Sequence, residues 1–239
     1  MNSTFVNYAH RGASSYAPEN TLSAFYLGLR MEADGIETDI RRTKDGVLVL
    51  FHDDTLERVA GVKGGVGDYT LEELKQVMIF GKEGFTPDHI VTLEEFLYLF
   101  GYRNLTFAIE IKEQGVEADT VEMVRRFGIL DKCIFTSFDY EAMKALRRAD
   151  DGIALGYLFK EPVQGRINEA KAIDCRQLCI YGPCLNEKNA EELKAMGFSI
   201  RAWGIADEAA MRHAAVLADG GMTVNFPDKL TAYRKELGI

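Results

Sequence analysis

The residues able to do chemistry stand in short groups: His10-Arg11, Glu37-Thr38-Asp39, His52-Asp53 and Glu110-Ile111-Lys112. Imidazole titrates near neutral pH, so the pair His10 and His52 suits general acid–base catalysis. Glu37, Asp39 and Glu110 offer only oxygen, a donor set suited to Mg2+ or Ca2+ rather than zinc. Three acids gathered in a dry site need a cation or a proton, because like charges cannot share it cheaply. Salt bridges to Arg11, Arg41 and Lys112 would account for one of them but not for three. Arg11 and Lys112 would instead bind an anionic substrate, and a guanidinium matches phosphate with two parallel N–H groups. His89 and His213, in a loop and on a helix, read as surface residues.

These groups need elements that end at one place. Strand patterns run over Phe5–Ala9, Gly35–Ile40, Val47–Phe51, Leu105–Ile111 and Cys133–Thr136, then Ile153–Leu158, Gln177–Ile180, Phe198–Trp203 and Gly220–Val224. Amphipathic helical patterns lie between most of them, at 19–31, 92–100, 116–127, 140–149, 164–173, 187–196, 208–217 and 229–237. Alternating strand and helix predicts a parallel sheet. The turn before Val47 is too short for a parallel crossover. Val47–Phe51 is therefore expected to return antiparallel to Gly35–Ile40, with Asp45-Gly46 as a two-residue hairpin loop that sets Asp39 opposite His52. Setting that arm aside leaves eight strands, the count of a (β/α)8 barrel, whose usual size is about 250 residues. An open doubly wound sheet is the alternative, but no Gly-rich fingerprint follows the first strand.

In a barrel the functional residues sit at the C-terminal strand ends. Those ends carry His10-Arg11, Glu37 and Asp39, Glu110 and Lys112, then Ser137-Phe138, Tyr157, Tyr181 and Trp203, with His52 from the hairpin arm. Phe138 and Trp203 read as substrate-binding pocket walls. Residues 54–90 form an expected insertion after the second strand, on the active-site face of a single domain spanning 1–239. Within it, Thr70 followed by Glu73 is a capping box.

The chain has 239 residues and a formal net charge of −9, which argues against a nucleic-acid surface. No apolar run approaches the roughly 20 residues that span a bilayer, and no signal-peptide pattern precedes His10. Cys133, Cys175, Cys179 and Cys184 form no C-x-x-C pair and read as reduced thiols, consistent with a cytoplasmic protein. Oligomeric state is not legible.

His10-Arg11-Gly12, Ala17-Pro-Glu-Asn-Thr21, the I-E-T-D-I run, T-K-D-G, F-H-D, T-L-E-E-L and E-I-K follow one another in an order and spacing that resemble the glycerophosphodiester phosphodiesterase family. The resemblance continues through Thr136-Ser-Phe138 and the Trp203 strand to Pro227. It implies a TIM barrel with a small insertion after strand two, and cleavage of glycerophosphodiesters to glycerol 3-phosphate and an alcohol with one divalent cation. By position, His10 and His52 match the acid–base pair, Glu37, Asp39 and Glu110 the metal ligands, and Arg11 and Lys112 the phosphate contacts. Arg58-Val59-Ala60, Gly204-Ile205-Ala206 and Thr223-Val224-Asn225 depart from the usual runs, in places where substrate preference is set. A lysophospholipase D or phospholipase C-like lipid phosphodiesterase could use the same residues, but the chain lacks the apolar, membrane-facing rim such an enzyme needs. A barrel that only senses metal or phosphate would be favoured if a histidine were missing, and both are present.

Overall fold

Short apolar runs alternating with amphipathic stretches can bury both faces of a parallel sheet only if helices coat it. The computed structural model, which describes residues 5–82 and 84–238, closes that sheet into a barrel. The first part of the chain forms β1 (Asn7–His10), α1 (Leu22–Arg30), β2 (Gly35–Arg42), β3 (Leu48–Leu50), α2 (Glu57–Ala60), α3 (Leu71–Leu74), β4 (Met78–Ile79), β5 (Asp88–His89) and α4 (Leu93–Phe100). The rest alternates regularly: β6 (Thr106–Ile111), α5 (Glu117–Arg126), β7 (Cys133–Ser137), α6 (Tyr140–Ala149), β8 (Ala154–Phe159), α7 (Gln164–Ala172), β9 (Gln177–Tyr181), α8 (Glu187–Ala195), β10 (Ser199–Trp203), α9 (Glu208–Ala215), β11 (Gly221–Val224) and α10 (Pro227–Leu237). The eight strands β1, β2 and β6 to β11 pair in parallel around the barrel, and β1 closes it by pairing with both β2 and β11. The expected (β/α)8 fold is therefore the observed one.

The hairpin arm behaves as expected in direction but not in register. β3 runs antiparallel to β2, with Ile40 opposite Leu50 and Arg42 opposite Leu48. The Thr43 N–H donates to the Val47 carbonyl at 2.9 Å, so the loop has three residues, Lys44-Asp45-Gly46, rather than two. Gly46 takes φ 90°, the left-handed position that closes three-residue hairpins. Thr43 Oγ1 donates to Asp45 at 2.6 Å, and Asp45 also accepts the Leu71 N–H, which fixes the longer turn. Asp39 consequently faces Phe51, and His52 projects one residue beyond the pairing.

Two apolar layers hold this frame. Phe25 of α1 packs edge-on against Phe96 and Phe100 of α4, and Phe96 packs edge-on against Phe107 of β6, with ring centroids 4.9–5.8 Å apart. Each such buried ring is worth about 1.5–3 kcal/mol of transfer free energy. Residues 54–90 carry a smaller core of their own, in which Leu56, Val66, Leu74 and Ile79 close over Val49 and Phe51. The loop after β1 turns tightly at Gly12, where φ is 80° and a Cβ would lie 2.5 Å from the Ala24 carbonyl carbon. Among the described residues no helix is long and apolar enough to cross a membrane.

Candidate active site

Register alone assembles the acids. In β1 and β2, His10 stands beside Glu37, and in β2 and β6, Asp39 stands beside Glu110. Side chains two apart on a strand share a face, so Glu37 and Asp39 both point into the mouth. Each of the three carboxylates offers one oxygen within 4.8 Å of the others, and all are buried. Burial raises the Glu37 pKa well above the usual carboxylate range, and Asp39 and Glu110 raise it further. Glu110 is also raised, by burial and by Asp39. Asp39 is pushed down to about 2, because Arg11 and Lys112 outweigh its own burial. Lys112 Nζ donates to Glu110 at 2.8 Å and stands 3.7 Å from Asp39, while Arg11 Nε pairs with Asp39 at 3.2 Å. Arg41 takes no part. It donates to the His52 carbonyl and pairs with Asp54 and Glu113.

All three acids are oxygen donors, and Asp39 Oδ1 is buried without a hydrogen-bond partner. That combination fits a hard divalent cation. Arg11 itself holds φ 54°, a left-handed conformation that a non-glycine residue keeps only when its surroundings demand it. Its N–H donates both to the Glu37 carbonyl and to Glu37 Oε2, at 2.9 and 3.1 Å. Its carbonyl accepts the Asn20 N–H at 3.0 Å.

The two histidines flank the acids, lining one cavity of about 190 Å³ together with Glu37 and Glu110. His10 Nδ1 lies 2.5 Å from Asn225 Oδ1, an acceptor, so Nδ1 carries the proton and Nε2 keeps its lone pair. Nε2 is 3.8 Å from Glu37. Burial and the Arg11 charge lower the His10 pKa to about 3. His52 Nδ1 donates to Asp53 at 2.6 Å. Burial lowers its pKa too, against the pull of Asp39.

Several contributors went unread in the sequence. Glu19 and Asn20 were expected in the first helix, but Thr21 caps it and leaves both in the loop. Asn20 donates to Asp39 at 2.9 Å and accepts from Thr38 at 2.8 Å. Glu19 accepts from Arg11 and, through two N–H groups, from Arg58. Arg58 also donates to Asp53 at 2.5 Å. A threonine three residues before Ala24 and ahead of an apolar run was the available signal for that cap. Arg201, whose Nε and Nη1 lack partners, is buried at the cavity floor beside Thr223. A charged residue at mid-strand gave no warning of this.

Of the later rim, Phe138 and Trp203 line the cavity in edge-to-face contact at 5.1 Å, and Tyr181 packs against Trp203 at 4.9 Å. Tyr157 does not reach the mouth. Its hydroxyl donates to Glu169 of α7, because side chains alternate along β8 and it is Leu158 that faces inward. Ser137 is spent on the Ile111 carbonyl.

A TIM barrel with buried acids and two histidines at its C-terminal mouth belongs to the class of barrel hydrolases that work on anionic esters. The model of the glycerophosphoryl diester phosphodiesterase family matches residues 10–229, and the chain belongs to that family. A glycerophosphodiester phosphodiesterase of Bacillus altitudinis is 31% identical over 242 residues, covering 96% of this chain and 98% of that protein. One of Caldanaerobacter subterraneus subsp. tengcongensis is 35% identical over 160 residues, 64% of this chain and 65% of that one. An Oleispira antarctica phosphodiesterase, solved with its product sn-glycerol-3-phosphate, superposes with a TM-score of 0.87 at 27% identity, covering 95% and 96% of the two chains. The protein is a hydrolase with glycerophosphodiester phosphodiesterase activity.

Proposed function

We propose that the chain hydrolyses glycerophosphodiesters to glycerol 3-phosphate and an alcohol, with Glu37, Asp39 and Glu110 holding one divalent cation and His10 and His52 moving the protons. The observation that carries this reading is the close grouping of three buried carboxylates in a cavity that both histidines line. When bound, Mg2+ or Ca2+ would polarise a non-bridging phosphate oxygen and stabilise charge developing in the transition state. Arg11 and Lys112 bring two more positive charges to the same oxygens.

His10 is the base in this reading. Its depressed pKa keeps it neutral, and Asn225 holds the tautomer whose Nε2 can take a proton. His52 takes the acid role as the second imidazole on the cavity; burial lowers its pKa, and Asp39 and the Asp53 carboxylate that holds its Nδ1–H work against that loss. Phe138 and Trp203 wall the substrate, residues 54–90 act as an insertion over the mouth, and four free cysteines support cytoplasmic residence.

A coupled assay for glycerol 3-phosphate tests the reading. Chelation should abolish turnover, and Mg2+ or Ca2+ should restore it. His10→Ala and His52→Ala should each lose roughly 10²-fold or more with the fold intact. Turnover indifferent to chelator, or a histidine variant with full activity, would remove the corresponding assignment.

A further inference from the structure

The cavity that both histidines line has a polar floor to which the proposed chemistry gives no role. Trp203 at the end of β10 and Asn225 just past β11 stand at its rim, and Arg201 and Thr223 lie two residues earlier on the same faces. Two residues set them roughly 6–7 Å deeper along the strands. Register agrees, since Thr223 stands beside Tyr8, two positions below the level at which His10 stands beside Glu37. Arg201 is 1% exposed and Thr223 6%, yet Arg201 Nε and Nη1 and Thr223 Oγ1 have no hydrogen-bond partner. Resting on the phosphodiesterase reading above, we propose that Arg201 and Thr223 read the terminal hydroxyl of the substrate's glycerol unit, so that the site demands this hydroxyl present and unacylated.

The neighbours of Arg201 hold it in place without using its donors. The Tyr8 ring centroid lies 5.1 Å from the guanidinium carbon, and burial pushes the adjacent Cys179 thiol up, so it stays neutral. Glu37 acts on Arg201 through space but does not take up Nε or Nη1. Buried N–H groups left this way cost free energy until they find acceptors. A free hydroxyl answers both sides of the floor. Its oxygen accepts an Arg201 N–H, and its proton goes to Thr223 Oγ1. An acylated hydroxyl has no proton to give. The reacting phosphate belongs higher, at the level of Glu37, Glu110 and the two histidines, so the floor meets the far end of the glycerol arm. Leu158 and Ile205 flank the carbons between. At about 190 Å³ the cavity is below the roughly 300 Å³ at which ligand pockets usually begin, a size suited to a phosphate with a short polyol.

The test compares kcat/KM, by released p-nitrophenol, for three p-nitrophenyl phosphodiesters at saturating Mg2+ or Ca2+. One carries glycerol, one carries propane-1,2-diol and so lacks only the terminal hydroxyl, and one carries glycerol acetylated at that hydroxyl. The middle hydroxyl and the leaving group are the same in all three. The parent should favour the glycerol diester over either analogue by roughly 10²-fold. Thr223→Val, which keeps the branched shape, should shrink that ratio roughly tenfold, and Arg201→Met should shrink it at least as far. If Arg201→Met does not fold, Thr223→Val decides alone. A parent that takes all three diesters at similar kcat/KM, or a ratio that Thr223→Val leaves unchanged, would overturn the role of the floor and leave the phosphodiesterase reading standing. A parent that turns over none of them would instead bring down the phosphodiesterase reading and this inference with it.

Discussion

Glu37→Gln separates the two consequences of crowding three acids in one place. Glu37 is only 3% exposed, and its pKa is raised by burial, then by Asp39 and Glu110. The folded chain therefore holds a proton on Glu37 more tightly than the unfolded chain does. Stability then falls as pH rises from about 4.3, the ordinary value, through the raised one, and above it the ionised carboxylate is carried at a cost. Glutamine keeps the shape and the oxygen that accepts the Arg11 N–H at 3.1 Å, but removes the charge. Without metal at pH 8 the variant should melt higher than the parent, and acidification should close the gap. The same charge should attract a cation. A metal at 100 times its Kd that binds only the folded state adds about 2.7 kcal/mol, or roughly 5–11 °C in Tm for a chain of this length. Calorimetry in EDTA and in titrated Mg2+ or Ca2+, from pH 5 to 8, reads both effects. The parent should show the metal shift, and Glu37→Gln should lose most of it. A parent Tm indifferent to both cations, or a variant that melts lower than the parent in EDTA at pH 8, would refute the electrostatic reasoning.

Other substitutions probe the supports. Asp53→Asn removes the carboxylate that orients His52 and should cut kcat roughly tenfold or more, while the metal-induced Tm shift stays as in the parent. Asn225→Asp places a carboxylate beside His10 Nδ1, which favours the imidazolium. The acid limb of kcat/KM against pH should then move upward by about one pH unit, and an unmoved limb would remove His10 as the base. Gly12→Ala forces a Cβ into the Ala24 backbone at positive φ and should cost about 2 kcal/mol, read as a lower urea midpoint.

Much of this was legible because it follows from periodicity. Alternating strands and helices set the barrel, and the brevity of the Asp45-Gly46 turn correctly withdrew β3 from the parallel count. The acids converge because strand register is regular and same-face residues repeat every second position. What was not legible depends on partners distant in sequence. The hairpin loop is one residue longer because Asp45 reaches the Leu71 N–H, a contact 26 residues away. Tyr157 points away from the mouth because alternation along β8 turns its neighbour Leu158 inward, a phase that an almost wholly apolar run does not reveal. β4 and β5, with two residues each, are too short to leave a periodic pattern.

The ionic contacts explain why loop residues missed by pattern matter as much as the strand residues found by it. Arg11 pairs with Asp39 and with Glu19, Glu19 with Arg58, Arg58 with Asp53, and Asp53 with His52. This continuous chain runs from a buried acid of β2, through the loop after β1 and the 54–90 segment, back to the end of the hairpin. The Asp39 carboxyl is fully buried, where a charge is tolerated only when paired. Arg11 supplies that pairing only because its strained backbone and the Glu19 carboxylate aim it there. His52, one residue past the sheet, has no strand to fix it and takes its orientation from Asp53 and Arg58. The barrel therefore sets where the acids lie, and this loop network sets where the Arg11 guanidinium and the His52 imidazole point.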